Sequence, residues 1–190
     1  MYPKIALASA SPRRRELLTQ LGVEFQLVKA DIDETPYPNE KPELYVQRLA
    51  IAKAKAGLAR LEAEQPTLGS DTIVVAQQHI LGKPRDIDDF KRMMTMLSGS
   101  AHQVMTAVAL VDSQRSLSTL VITEVLFRPI SEAEMQDYWL SGEPQDKAGG
   151  YGIQGLAARF VERINGSYTA VVGLPLCQTE QLLLQWQEPI

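Results

Sequence analysis

Apolar and polar positions change period repeatedly along the chain, and the changes predict short strands alternating with helices. Ile5-Ala6-Leu7-Ala8 is a continuous apolar run of the kind a buried strand shows. A Ser9-Ala10-Ser11-Pro12 turn follows, then a helix through about Leu21, with Pro12 suited to its first turn and Gly22 to its stop. Phe25 to Val28 forms a second strand, and residues 30–42 form a polar, Pro-rich loop. A long helix rich in Ala, Leu, Lys and Arg is expected from about Pro42 to Glu64.

Leu68 to Ala76 contains the strand-like Thr72-Ile73-Val74-Val75, and a turn near Gln77-Gln78-His79 leads to Ile80-Leu81-Gly82-Lys83-Pro84. Phe90, Met93, Met94 and Leu97 fall at i, i+3, i+4 and i+7, a helical core stripe closed by Ser98-Gly99. Val104 to Val111 and Leu117 to Phe127 read as paired strands around Asp112-Ser113-Gln114. Ser131 begins a helix through about Leu140, and Ser131 with Glu134 has the spacing of a capping box. Residues 146–152 place three glycines in one loop, Asn165-Gly166 predicts a hairpin between two further strands, and a last helix covers about Leu176 to Trp186. Hairpins mixed with helices argue for an α/β or α+β fold on a mixed sheet.

Composition narrows the class. With 190 residues, 45% of them hydrophobic, and a net charge of −4, residues 1–190 are expected to form one domain, single or bilobed. Disordered and collagen-like chains are excluded. No apolar run approaches the ~20 residues of a membrane span, and the start turns basic after its apolar stretch, the reverse of a signal peptide. The expected location is cytoplasmic, so Asn165-Gly166-Ser167 reads as a turn rather than a glycosylation site. The single Cys177 with His79 and His102 offers no Cys/His cluster, so a metal would sit on oxygen ligands. Residues 1–60 carry a net +3 and the remainder −7, a placement that suits a small anionic ligand better than a long polyanion.

Ser9-Ala10-Ser11-Pro12-Arg13-Arg14 aims free backbone N–H groups, two hydroxyls and adjacent guanidiniums at one place, which suits phosphate; a Ser cap followed by solvated arginines is the plainer reading. Glu34 in the Pro-rich loop, Lys53 on the long helix, Asp71 at a strand start and Lys83 before Pro84 are each ordinary when taken singly.

Five blocks in order, LASASPRRRELL, RLAIAKAKA, GSDTIV with GKPRD, LSG with HQVMTAVAL, and DKAGGYGIQG with INGSYTAVVGLPL, resemble the Maf family of nucleoside triphosphate pyrophosphatases over nearly the whole chain. The resemblance implies the Maf/Ham1 (ITPase-like) α/β fold: an elongated mixed sheet flanked by helices, with two lobes around a cleft. It implies hydrolysis of a nucleoside triphosphate to the monophosphate and pyrophosphate with Mg²⁺ or Mn²⁺, Co²⁺ being a further candidate, and homodimers as a state of such proteins. On it, Ser9, Arg13, Arg14, Lys53 and Lys83 take the phosphates, Asp71 is proton acceptor and metal ligand, and Glu34 is a second metal or water-positioning candidate.

Three positions bear on the nucleotide. Relatives resembling 7-methyl-GTP pyrophosphatase carry Trp, Gln and Glu where this chain has Arg13, Thr72 and Gln154, the residues of the dTTP/UTP subgroup. A Trp would stack on a purine, whereas Gln154 offers a donor and an acceptor to a neutral pyrimidine. Gly149-Gly150 stands where the family pattern has Gly-Ala, and the second glycine is expected to cost loop order. The alternative class is a nucleotide- or nucleic-acid-binding regulator of septum formation without turnover. The negative total and the absence of a broad basic face oppose it. A dinucleotide oxidoreductase would need a G-x-G-x-x-G after the first strand, which is missing.

Overall fold

The computed structural model describes residues 2–188. In chain order the elements are β1 (Ile5–Leu7), α1 (Pro12–Gln20), β2 (Phe25–Leu27), α2 (Pro42–Leu58), β3 (Thr67–Ala76), β4 (His79–Leu81), α3 (Ile87–Leu97), β5 (Ala101–Val111), β6 (Ser116–Phe127), α4 (Glu132–Leu140), β7 (Val161–Asn165), α5 (Tyr168–Val172) and α6 (Leu176–Trp186). Strand order is β2-β1-β3-β5-β6-β7, with β4 on β3. β1 runs parallel to β2 and β3, while β3–β4 and β6–β7 are antiparallel, so the sheet is mixed as expected.

The chain divides into two compact units. The first holds residues up to Asp71, Thr106–Val121 and those from Gly173 onward. Its β1 is buried at every residue, which is why it reads as continuously apolar. α2 lies on the sheet through small residues: a Cβ at Gly69 would come within 2.3 Å of the Ala50 carbonyl oxygen, and one at Gly57 within 2.7 Å of Ala8 Cβ. That close approach seats the helix beside the start of β3. The β5–β6 turn is tied by Asp112 Oδ1, which accepts from the Gln114 and Arg115 N–H groups at 2.8 and 2.7 Å.

The second unit holds Thr72–Met105 and Ile122–Val172. Phe90, Met93, Met94 and Leu97 are all buried, as the stripe on α3 requires. The capping box at α4 is formed in both directions, with Ser131 Oγ accepting from Glu134 N–H and Glu134 accepting from Ser131 N–H. His102, Phe127, Tyr138, Tyr151 and Phe160 build an aromatic cluster, in which His102 Nε2 meets the Tyr151 hydroxyl at 2.8 Å. Gln77 and Gln78 both take left-handed φ (49° and 66°), the requirement of a tight two-residue hairpin turn between β3 and β4.

Three expectations are corrected. α2 stops at Leu58 instead of Glu64: after a last helical bond from Ala59 N–H to Lys55 O, the chain tightens through Arg60 N–H to Gly57 O and Leu61 N–H to Leu58 O. Further helix would carry the chain away from Thr67, which must pair with Ala6. The Asn165-Gly166 hairpin is absent. β7 ends there, Gly166 turns at φ 133° against Thr123, and Ser167 Oγ caps α5 by accepting from Ala170 N–H. A second strand is lost to a local cap. Gly150, expected only to cost order, sits at φ 70°, where a Cβ would come 2.9 Å from the Phe90 ring. Glycine is the residue this position accommodates.

Candidate active site

β1 ends in a buried strand, and the chain then passes through Ser9 into α1. Ser11 N–H donates to Ser9 Oγ at 3.2 Å, and Arg14 N–H donates to Ser11 Oγ at 3.4 Å, so Ser11 is the N-cap. The Arg14 guanidinium turns back over this loop. Its Nη1 donates to Ser9 Oγ at 3.5 Å, and its Nε donates to the Gly173 carbonyl at 2.9 Å. Of the two readings left open by the sequence, the capping serine is present: Ser11 fixes the helix start, and Arg14 lies over the loop.

Beside this loop within the first unit stands a cluster of charge. Lys53 Nζ lies 2.6 Å from Asp71 Oδ1 and 2.8 Å from Glu34 Oε1. The Asp71 side chain is 10% exposed and that of Glu34 57%, so one carboxylate is interior and the other faces water. Burial raises the pKa of Asp71 above its ordinary value, and the nearby Lys53 and Arg14 charges pull against that rise without cancelling it. Burial likewise lowers the pKa of Arg14, opposed by the charge of Asp71; the guanidinium stays protonated throughout the physiological range.

The two carboxylates suit a hard divalent cation. Both are oxygen donors of the kind a hard divalent cation takes, and both converge on one ammonium. Among the described residues no group of three His, Cys, Asp or Glu is placed to hold a metal by itself.

Glu34, Lys53 and Asp71 are therefore brought into direct contact, Ser9 and Arg14 into another, and Arg13 stands half-exposed next to Arg14 on α1. Thr72, Lys83 and Gln154 belong to the second unit. Thr72 follows Asp71 on β3, Lys83 is exposed between β4 and α3, and Gln154 is exposed shortly before the short 3-10 segment Leu156–Phe160.

Sequence reasoning missed four contributors. The buried Gly173 carbonyl accepts from Arg14 and also from Ser70 Oγ at 3.1 Å, tying the loop after β1 to the residue before Asp71. Tyr45 O–H donates to the Glu34 carbonyl, and Arg48 grips the loop that carries Glu34. Gly173, Ser70 and Arg48 lie inside the family blocks, but nothing in those blocks marks the bonds they make; Tyr45 carries no signal of its own.

Fold and site together define a mixed α/β protein whose first strand–loop–helix end presents N–H, hydroxyl and guanidinium groups beside a carboxylate–lysine–carboxylate cluster. The chain belongs to the Maf family: the pattern of the Maf-like protein family matches residues 4–186. It is 58% identical over 183 residues to the dTTP/UTP pyrophosphatase of Pseudoalteromonas translucida, covering 96% of this chain and 97% of that one. It is 56% identical over 180 residues to the dTTP/UTP pyrophosphatase of Vibrio cholerae, covering 95% and 96%. The Aliivibrio fischeri protein of the same name is 52% identical over 190 residues, covering 98% and 100%. A solved HAM1 protein from Coxiella burnetii matches with a TM-score of 0.53 at 17% identity, over 96% of this chain and 99% of that one, a likeness of fold. No helix among the described residues is long and apolar enough to cross a membrane.

Proposed function

We propose that the chain hydrolyses dTTP and UTP between the α and β phosphates, releasing pyrophosphate and leaving the nucleoside monophosphate. The observation that carries the reading is the Glu34–Lys53–Asp71 cluster beside the Ser9–Arg14 loop, in a chain 52–58% identical to proteins named for this reaction.

In this reading a water oxygen attacks the α-phosphorus, the α–β bridging oxygen leaves with pyrophosphate, and the water's proton passes to an Asp71 carboxylate oxygen. Burial that raises the pKa of Asp71 makes it a better acceptor near neutral pH than an exposed aspartate. Arg13, Arg14 and Lys53 neutralise the polyphosphate, and the Ser9–Ser11 loop supplies hydroxyl and N–H donors. Asp71 and Glu34 would hold a divalent cation, Mg²⁺, Mn²⁺ or Co²⁺, which when bound supplies further charge neutralisation on the triphosphate. Glu34 alternatively orients the water. Lys83 is assigned to the phosphates and Thr72 and Gln154 to the pyrimidine, on the sequence alone.

A panel of nucleoside triphosphates assayed with each cation, reading pyrophosphate against orthophosphate, tests the proposal. dTTP and UTP should give the highest kcat/KM, with pyrophosphate as first product. Orthophosphate as first product, or a purine triphosphate turned over best, would overturn it.

A further inference from the structure

Glu34 lies on a loop that has no strand or α-helix of its own: residues 28–40 join β2 to α2 outside regular structure. Its side chain is 57% exposed, so burial does not fix the carboxylate either. The loop takes its place from two side chains of α2. Arg48 holds Glu40 through a pair of N–H···O bonds, Nε to Oε1 at 2.6 Å and Nη2 to Oε2 at 2.7 Å. Its Nη2 also donates to the Thr35 carbonyl at 3.1 Å, and the guanidinium sits 4.0 Å from the centre of the Tyr37 ring. One helical turn earlier, Tyr45 O–H donates to the Glu34 carbonyl at 2.8 Å. Glu40 closes the circuit by accepting from Tyr37 N–H at 3.0 Å.

Two successive carbonyls, those of Glu34 and Thr35, are thus held by the same helix that carries Lys53. The Arg48 and Glu40 side chains are 23% and 7% exposed, so this two-bond pair is shielded more than an ordinary surface ion pair and far more directional. A lysine at 48 could not reproduce the planar fork that engages Glu40 and Thr35 together.

We propose that Arg48, seconded by Tyr45, is a positioning residue for the Glu34 carboxylate: the clamp sets the loop so that Glu34 reaches Lys53 and the cation site, and it governs turnover without touching the substrate. The proposal rests on the part given to Glu34 above.

The test is a double-mutant cycle on the full chain, measuring kcat/KM for dTTP, the Mn²⁺ concentration giving half-maximal rate and, without substrate, the Mn²⁺ Kd from the free-ion EPR signal. Arg48→Ala should lower kcat/KM and raise the Mn²⁺ requirement by about 10–100-fold, the cost usual for partners that orient metal-site carboxylates. Arg48→Lys should rescue little. In a Glu34→Gln background the same Arg48→Ala change should cost no more than about threefold, because there is no longer a carboxylate to position. Equal costs in both backgrounds would overturn the clamp while leaving the role of Glu34 intact. Parental activity in Glu34→Gln alone would instead remove the role of Glu34, and the proposal with it. Should Arg48→Ala fail to fold, Tyr45→Phe keeps the buried ring and deletes only the bond to the Glu34 carbonyl. Its cycle with Glu34→Gln then decides: additivity overturns the proposal and non-additivity supports it.

Discussion

Asp71 in the first unit and Glu143 in the second are both carboxylates set among protein groups, but their surroundings differ in kind. Asp71 faces charge: the Lys53 ammonium at 2.6 Å, with Arg14 near and Glu34 sharing the same lysine. Glu143 faces neutral donors. Its Oε1 accepts from the Tyr138 hydroxyl at 2.8 Å, and its Oε2 accepts from the Leu156 N–H at 2.9 Å, at the start of the short 3-10 segment. Gly155 leaves the space this demands, since a Cβ there would lie 2.2 Å from Glu143 Oε2. Where a carboxylate is answered by neutral donors with defined directions, its work is to hold a loop. Where it is answered by cations on long side chains, the charge can be redistributed onto a ligand or a proton, and burial keeps it from being comfortable.

The largest test of that contrast is Asp71→Asn. The rate of nucleotide hydrolysis should fall by roughly 10²–10⁴-fold, the usual range for loss of a general base. The melting temperature at neutral pH should not fall with it. Because folding raises the pKa of Asp71, its contribution to stability is present below its unfolded pKa and is lost as pH rises through the folded value; the ionised group therefore strains the fold at neutral pH. A folded variant that works at the parental rate, or one that loses rate and stability together, would break the distinction between the two clusters.

His102 gives a test of the second unit by pH. Burial pushes its pKa down to about 4, so the ring is neutral at pH 7, with Nδ1 buried and unpartnered among the described residues. The sign is opposite to that of Asp71: stability is complete above the unfolded value near 6.5 and declines as pH falls through the folded value. Unfolding free energy, measured in urea, should fall by about 3 kcal/mol between pH 6.5 and 4, and His102→Gln should lose most of that slope. An unchanged slope in the variant would place the acid sensitivity elsewhere.

Glu143→Ala is the smallest of the three. Removing an acceptor from the Tyr138 hydroxyl and the Leu156 N–H should cost about 1–3 kcal/mol of stability, read as a lower urea midpoint. The change in the pH optimum of hydrolysis should be nil, because this carboxylate holds no proton for the reaction. A displaced pH profile would make Glu143 part of the chemistry and erase the contrast.

Legibility in the sequence tracked how local the cause was. The α3 stripe and the Ser131–Glu134 capping box are settled by residues within a turn or two, and each stands as read; the serine cap, one of two readings left open, is made by Ser11 before Pro12. The end of α2 and the fate of Asn165-Gly166 were misread because distant partners decide them: Thr67 must meet β1, and Thr123 receives the Ser167 N–H. The candidate site was legible as residue types, since the family blocks contain Ser9, Arg14, Lys53 and Asp71. It was not legible as an arrangement.

By itself, then, the sequence determined the alternation of elements, the family, and which charged side chains its motif blocks carry, because periodicity, caps and motif spacing act over short stretches of chain. Only the tertiary structure decided that Glu34 and Asp71 share one lysine, that Arg48 and Tyr45 hold the loop of Glu34, and that the Gly173 carbonyl receives both Arg14 and Ser70. Those bonds join residues up to 159 positions apart, and their donors and acceptors include backbone carbonyls, which every residue carries and no side-chain pattern distinguishes. The close seat of α2 at Gly69, not any motif, sets Lys53 within reach of Asp71.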